Sequence, residues 1–263
     1  MDTSYSTLLV ARSGHTATVT LNRPEVRNAF NEATIAELTQ AFCALGDDDA
    51  VRVIVLAANG AAFCAGADLH WMKKMAGYTH AENHADALQL AQMLRTLYVC
   101  PKPVVAQVQG DCYAGGMGLV AACDIVVAAD AVQFCLSEVK LGLIPATIAP
   151  YVIKAMGEQA ARRYFLTAER FTAAQAQALG FVHELTTADA LAAKVGEIVQ
   201  ALAGNSPDAV RAAKRLVREV AGRSVDEALL ADTAERIADI RASRQGREGV
   251  AAFLEKRKPD WLS

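Results

Sequence analysis

Apolar residues follow two different rhythms along this chain. Between residues 7 and 21 (TLLVARSGHTATVTL) they form two extended-type runs around Ser13-Gly14, which predicts a β-hairpin. Asn22-Arg23-Pro24 ends the second run. From Asn31 the spacing changes: Ile35, Leu38 and Phe42 share one face of a helix reaching about Leu45, with Asn31 as its cap. VRVIVLA (51–57) reads as a buried strand, and Asn59-Gly60 opens the loop AAFCAGADLHWM. A helix is predicted over 82–98, carrying Leu88, Leu90, Met93, Leu94 and Leu97, with Pro101 and Pro103 bracketing its end. VVAQVQG (104–110), IVVAA (125–129) and QFCLS (133–137) are the next strands. This alternation of strand and helix predicts an α/β core with partly parallel pairing. Beyond Pro150 the spacing turns helical over 150–157, 158–167, 172–180, 188–204, 206–221 and 224–243, and only FVHELT (181–186) reads as extended. The expected organisation is an α/β core over residues 1–200 and a helical region over 201–263.

Composition narrows the function classes. At 263 residues and 53% hydrophobic content the chain can build one large core. A net charge of -3 with scattered Lys and Arg gives no basic field, which excludes nucleic acid as a partner. No basic segment followed by a long apolar stretch opens the chain, so neither a signal peptide nor a membrane span is expected. The six cysteines (Cys43, Cys64, Cys100, Cys112, Cys123 and Cys135) contain no CxxC and sit mostly in apolar segments. They read as reduced, buried thiols of a cytoplasmic protein. His80 and His84 lie four residues apart, but no third ligand accompanies them, so no metal site is expected.

Two glycine-rich segments and one acid carry candidate chemistry. Ala62-Phe63-Cys64-Ala65-Gly66-Ala67-Asp68-Leu69 links a buried strand to a helix; it is either a turn with Asp68 as an ordinary cap or a place where backbone N–H groups meet an anion. Tyr113-Ala114-Gly115-Gly116-Met117-Gly118 opens an apolar helix. It is neither GxGxxG nor a P-loop, so its glycines serve close helix–sheet packing or bare N–H donors. Glu138 stands alone in the apolar run that follows, as an acid/base candidate does.

Taken with LNRPEVRNAF, PKPVVAQVQGDCYAGG, ACDIVVAA, FCLSEVKLGLIP, LTAERFTAAQAQALGFVHEL and REGVAAFLEKRKP, these segments resemble the crotonase (enoyl-CoA hydratase/isomerase) superfamily over nearly the whole chain. The resemblance implies a spiral of ββα units with a C-terminal helical region, assembled as homotrimers or dimers of trimers. It implies an acyl-CoA thioester as substrate, with CoA as part of that substrate and no separate cofactor. By position, Ala67 and Gly115 supply the N–H groups that hold the thioester oxygen, and Glu138 is the catalytic acid/base. Val26, Ala65, Asp68, Leu69 and Gly116 join Ala67 and Gly115 in binding the substrate, and Phe253 and Lys256 match positions that reach CoA, often from a neighbouring subunit. Trp71 and Met72 would wall the acyl pocket, and Asp111 and Tyr113 lie beside the glycine-rich turn.

Two positions depart from the family pattern. The hydratases' other glutamate matches Gly118, and a PGGGGT-like stretch is here Pro145-Ala146-Thr147-Ile148-Ala149-Pro150. Either Glu138 does both proton-transfer jobs or a water occupies the vacated space. SEVKLGLIPATIAPYVIKAMGEQAARRYFLTAERF and FCAGADLHWMKKMA are most similar to the bacterial methylglutaconyl-CoA hydratase branch. The implied reaction is hydration of a 2-enoyl-CoA, 3-methylglutaconyl-CoA in particular. A Δ3-Δ2-enoyl-CoA isomerase, which needs one acid, and a non-catalytic acyl-CoA-binding protein are the alternatives.

Overall fold

The computed structural model describes residues 5–262. The chain starts with a hairpin, β1 (Leu8–Ser13) and β2 (Thr16–Leu21), then α1 (Glu32–Asp47), β3 (Val53–Ala58), β4 (Ala62–Cys64), α2 (Leu69–Met75) and α3 (His80–Val99). β5 (Val104–Val108), β6 (Asp111–Tyr113), α4 (Gly115–Ala122), β7 (Ile125–Ala129), β8 (Gln133–Cys135) and α5 (Ala149–Thr167) follow. The remainder is β9 (Phe171–Thr172), α6 (Ala173–Ala178), β10 (Glu184–Thr186), α7 (Leu191–Ala203), α8 (Pro207–Val220), α9 (Glu227–Ala242) and α10 (Arg244–Leu254).

Successive strand pairs divide themselves between two sheets. β3, β5 and β7 enter a six-stranded sheet of order β1-β2-β3-β5-β7-β10, parallel except at the β1–β2 hairpin. The strand following each of them, β4, β6 or β8, enters a second sheet of order β4-β6-β8-β9, where β4, β6 and β8 run parallel. Each ββ pair leads into helix, which produces the expected spiral of ββα units. The elements read from periodicity are present. Asn31 caps α1 through Oδ1 accepting from Thr34 N at 2.9 Å, and Ile35, Leu38, Phe42 and Leu45 are buried along that helix. The two helical segments expected over 150–167 are the halves of α5, broken at Gly157 (φ 79°).

Other elements differ from the sequence expectation. β4 and β6 are three residues each, too short for a period of two to register. The strand expected over 133–137 stops at Cys135, because Glu138–Leu141 turns into a 3-10 helix. α2 is the helix expected after Asp68, and α10 lies within the expected C-terminal helical region, although its own spacing does not single it out. The cysteines are free, and Cys64, Cys100, Cys112 and Cys135 are buried as expected, whereas Cys43 is exposed.

The core fills the space between the sheets and helices, with Phe30, Phe63, Phe134, Phe171 and Phe181 fully buried. A smaller cluster of Val53, Val55, Val105, Val127, Leu191 and Val195 lies between the larger sheet and α7. α8 is tied to the core by Lys214 Nζ, 2.6 Å from Asp124 Oδ2 and 2.9 Å from Lys102 O. α10 packs on α8 and α9. Among the described residues, no helix is long and apolar enough to cross a membrane.

Candidate active site

The parallel strands β4, β6 and β8 end side by side, with Cys64 paired to Cys112 and Tyr113 to Cys135. Their C-terminal ends lead directly to Ala67, Gly115 and Glu138. Three candidate residues far apart in the chain are thus delivered to one edge of one sheet.

The loop carrying Ala67 rests on a platform that sequence reasoning missed. Pro24–Val26 forms a 3-10 turn, and Arg27 and Asn28 follow it in the left-handed region (φ 53° and 54°). Buried Asn28 holds that turn: Oδ1 accepts from Arg23 N at 2.8 Å, and Nδ2 donates to Asn59 O at 2.8 Å and Ala62 O at 2.9 Å. Ala65 N donates to Arg27 O at 3.0 Å, which sets Ala65 against the half-buried Val26 turn. Arg23 Nη2 pairs with Asp68 Oδ2 at 2.8 Å, and Asp68 also caps α2 through His70 N. Burial pushes the Asp68 carboxyl up, but Arg23 and the N–H groups of His70 and Trp71 hold it below the usual carboxylate range. The Asp68 side chain therefore serves the loop, and removing it would leave a largely buried guanidinium at a cost of about 3–5 kcal/mol.

The two candidate N–H groups are set by the backbone. Phe30 N donates to Gly66 O at 2.7 Å and Asp68 N donates to Phe30 O at 2.8 Å, a parallel bridge between Phe30 and Ala67. In such a bridge the flanking residues face the partner, so the Ala67 N–H points the other way. Gly115 is the first residue of α4, where an N–H has no intrahelical acceptor. Ala114, its cap, is held at φ 46° by its N–H donating to Cys135 O at 2.8 Å. The donors' loops touch: a Cβ on Gly66 would lie 3.1 Å from Ala114 Cβ and 3.9 Å from Gly115 N. A side chain at Gly115 would collide with Phe30, its Cβ falling 2.8 Å from Cε2, and Gly116 packs equally tightly on Cys64. Two fixed N–H groups that stabilise a developing oxyanion contribute about 3–4 kcal/mol each.

Glu138 begins the 3-10 helix after β8 and is half-buried. Its Oε2 is enclosed and has no hydrogen-bond partner among the described residues, and no cation pairs with it. Burial raises its pKa above the ordinary glutamate value, while its own backbone N–H opposes the rise. A desolvated, unpaired carboxyl carried by the same set of strand ends as two bare N–H groups can pass a proton to and from carbon next to a carbonyl.

The space expected for a water beside Gly118 is filled. A Cβ on Gly118 would lie 2.2 Å from Ile148 Cγ2, 2.8 Å from Ile148 Cβ and 3.5 Å from Leu94 Cδ2. Ile148, at the start of α5, is 2% exposed. The two departures from the family pattern are one contact. The face of α4 one turn beyond Gly115 is apolar and carries no acid.

Other candidates have different placements. Leu69 is an exposed first residue of α2. Trp71 is buried and donates Nε1–H to Asp86 Oδ1 at 3.1 Å. Tyr113 donates its hydroxyl to Asp111 Oδ2 at 2.5 Å and is pushed up to about 12 by burial and that carboxylate, while Asp111 Oδ1 accepts from Gln133 N. This pair supports β6. Phe253, 82% exposed, and Lys256 lie on or just after α10, so a single chain does not fold them into the buried site. Among the described residues no group of three His, Cys, Asp or Glu side chains is placed to hold a metal ion, and His80 and His84 are exposed on α3.

Such a site suits a thioester carbonyl that passes through an enolate. The sequence profile of the enoyl-CoA hydratase/isomerase family matches residues 12–263. A solved structure of a putative enoyl-CoA hydratase/isomerase (crotonase) from Legionella pneumophila superposes with a TM-score of 0.93 at 43% identity, covering 98% of this chain and 100% of that one. A mevalonyl-coenzyme A hydratase of Aspergillus fumigatus is 38% identical over 94% of this chain and 91% of its own length. A 2,3-dehydroadipyl-CoA hydratase of Escherichia coli is 33% identical over 97% and 98%. The chain belongs to the enoyl-CoA hydratase/isomerase family.

Proposed function

We propose that this protein hydrates a 2-enoyl-CoA, with 3-methylglutaconyl-CoA, an intermediate of leucine and isoprenoid breakdown, as its substrate. The observation that carries the reaction is the orphaned, desolvated Glu138 carboxyl at the strand edge that also supplies Ala67 N–H and Gly115 N–H. The thioester oxygen accepts from both N–H groups. Glu138 takes a proton from water as the water oxygen bonds to C3, and the double-bond electrons move onto the thioester as an enolate. The protonated Glu138 then returns that proton to C2, and the carboxylate is restored. One carboxyl performs both transfers, because Ile148 occupies the place where a second would stand.

Two relatives' names support the substrate class. A mevalonyl group is branched at C3 and a 2,3-dehydroadipyl group ends in a carboxylate; 3-methylglutaconyl-CoA has both features. Of the candidate cations for that carboxylate, Lys74 is paired with Glu32 and Arg163 with Glu169, leaving Lys73 on α2 without a carboxylate partner among the described residues. The proposed assembly is a homotrimer or dimer of trimers in which α10 of a neighbour brings Phe253 and Lys256 to CoA. The lone carboxyl also favours a second reading, a Δ3-Δ2-enoyl-CoA isomerase that moves one proton from C4 to C2. The intact Glu138 speaks against a silent binding protein. Incubation with 3-methylglutaconyl-CoA and crotonyl-CoA separates the readings. Hydration removes the conjugated thioester absorbance, fastest with the branched acid; an isomerase creates that absorbance from a 3-enoyl-CoA. A clear preference for crotonyl-CoA overturns the substrate assignment.

A further inference from the structure

A second built site lies at the other end of the larger sheet. Lys102 precedes β5 and Arg52 precedes β3, at the N-terminal ends of these parallel strands, whereas Ala67 and Gly115 follow β4 and β6, the strands that come after their C-terminal ends in the chain. Here a cavity of about 310 Å3 opens between the strand starts and the first turns of α8 and α10. Lys102, Arg52, Arg211 and Arg244 line it, against two carboxylates, Asp49 and Asp208. Both carboxylates are engaged by Arg211, Asp208 in a short ion pair and Asp49 at 3.5 Å. Arg52 is pinned to the carbonyls of Ala203 (3.2 Å) and Trp261 (2.8 Å) and has no acidic partner among the described residues.

Lys102 is the unexplained group. It is only 3% exposed, yet its ammonium donates to no acceptor and pairs with no carboxylate among the described residues. Burial first, and then the Arg211 guanidinium, depress its pKa, partly offset by the Asp49 and Asp48 carboxylates, so the charge lies within reach of side chains lining the same cavity. The buried stem holds an ammonium that no carboxylate contacts directly, a costly placement that a bound anion would relieve. Two helix N-termini add positive potential: α8 begins at Pro207 and α10 at Arg244, both at the cavity wall. Gln245 locks the two starts together, its Oε1 accepting from Ser206 Oγ at 2.6 Å and Asp208 N at 3.1 Å.

We infer that this cavity is an anion site for a phosphate dianion, free or as a phosphomonoester, with Lys102 as its buried anchor and Arg244 as its outer arm. The inference does not depend on the reaction assigned to Glu138. A bound dianion would tie α8 and α10 to the strand starts and stabilise the fold by mass action.

Calorimetric titration of the full chain with inorganic phosphate, at constant ionic strength in chloride, tests it, alongside thermal unfolding in the same buffers. Saturable one-to-one binding is expected, with an unfolding midpoint that rises with phosphate. Lys102→Met should weaken binding at least tenfold, and the exposed Arg244→Gln several-fold, while Lys154→Met on α5 changes nothing. CoA added to the phosphate complex identifies the source: displacement assigns the group to the nucleotide's phosphate, no displacement to free phosphate. Absence of saturable binding overturns the inference, and so does equal affinity in wild type and Lys102→Met. If Lys102→Met does not fold, equal affinity in wild type and Arg244→Gln overturns it.

Discussion

Burial without a partner makes the Glu138 carboxyl costly to ionise, and the same burial suits it to exchange a proton with a bound thioester. Its folded pKa is raised, so its stabilising contribution is complete below the unfolded value and disappears as pH rises through the folded one. Glu138→Gln should therefore lower kcat at least ~100-fold while its melting temperature at neutral pH equals or exceeds that of the wild type. In the wild type, kcat/KM should fall as pH drops through a pKa above the ordinary glutamate value. A variant that keeps near-wild-type turnover would remove Glu138 from the reaction. Gly118 and Ile148 make a second residue-scale test. Gly118→Glu overpacks against Ile148 at a cost of about 1–3 kcal/mol. In an Ile148→Ala background the same change should be tolerated better, with a favourable coupling of about 0.5–3 kcal/mol in denaturant unfolding. Strict additivity of the two substitutions would contradict the contact.

At the scale of elements, three strand ends place the candidate residues, and the turn after β6 holds one of them behind a strained residue. Ala114 lies at φ 46° with its N–H bound to Cys135 O, a conformation glycine adopts without penalty. Ala114→Gly should raise stability by about 1 kcal/mol, the strain released less the added chain entropy; an unchanged or lower denaturant midpoint rules this out. The longer elements were legible in the sequence. The apolar stripe of α1, the valine run of β3 and the glycine-rich start of α4 each declare themselves locally, and motif order then singled out Ala67, Gly115 and Glu138 as candidates, which the fold carries on the ends of neighbouring strands. β4 and β6 were not legible, because three residues carry no period and their strand character comes from pairing. Arg23 and Asn28 sit in a polar stretch (NRPEVRN) where nothing local separates a platform from a solvated loop. Both departures, at Gly118 and Ile148, were visible, but thirty residues of sequence concealed their contact.

On the scale of the whole molecule, the spiral and the terminal helices divide the work. The sheets deliver the candidate site residues to adjoining strand ends. α10, packed on α8 and α9, carries an exposed Phe253. If that helix serves a neighbouring subunit's CoA, Phe253→Ser should raise KM several-fold with little change in kcat or melting temperature. An unaltered KM would leave α10 a purely structural helix. The Gly118–Ile148 contact also bears on the history this chain can have. A lone change to glutamate at residue 118 meets a side chain already in its place, and a lone loss of Ile148 opens a hole in the core costing about 2–5 kcal/mol. Each single step toward a two-acid site passes through a less stable protein. The interlock works as a ratchet: an acid-free residue 118, once adopted, is held there by packing.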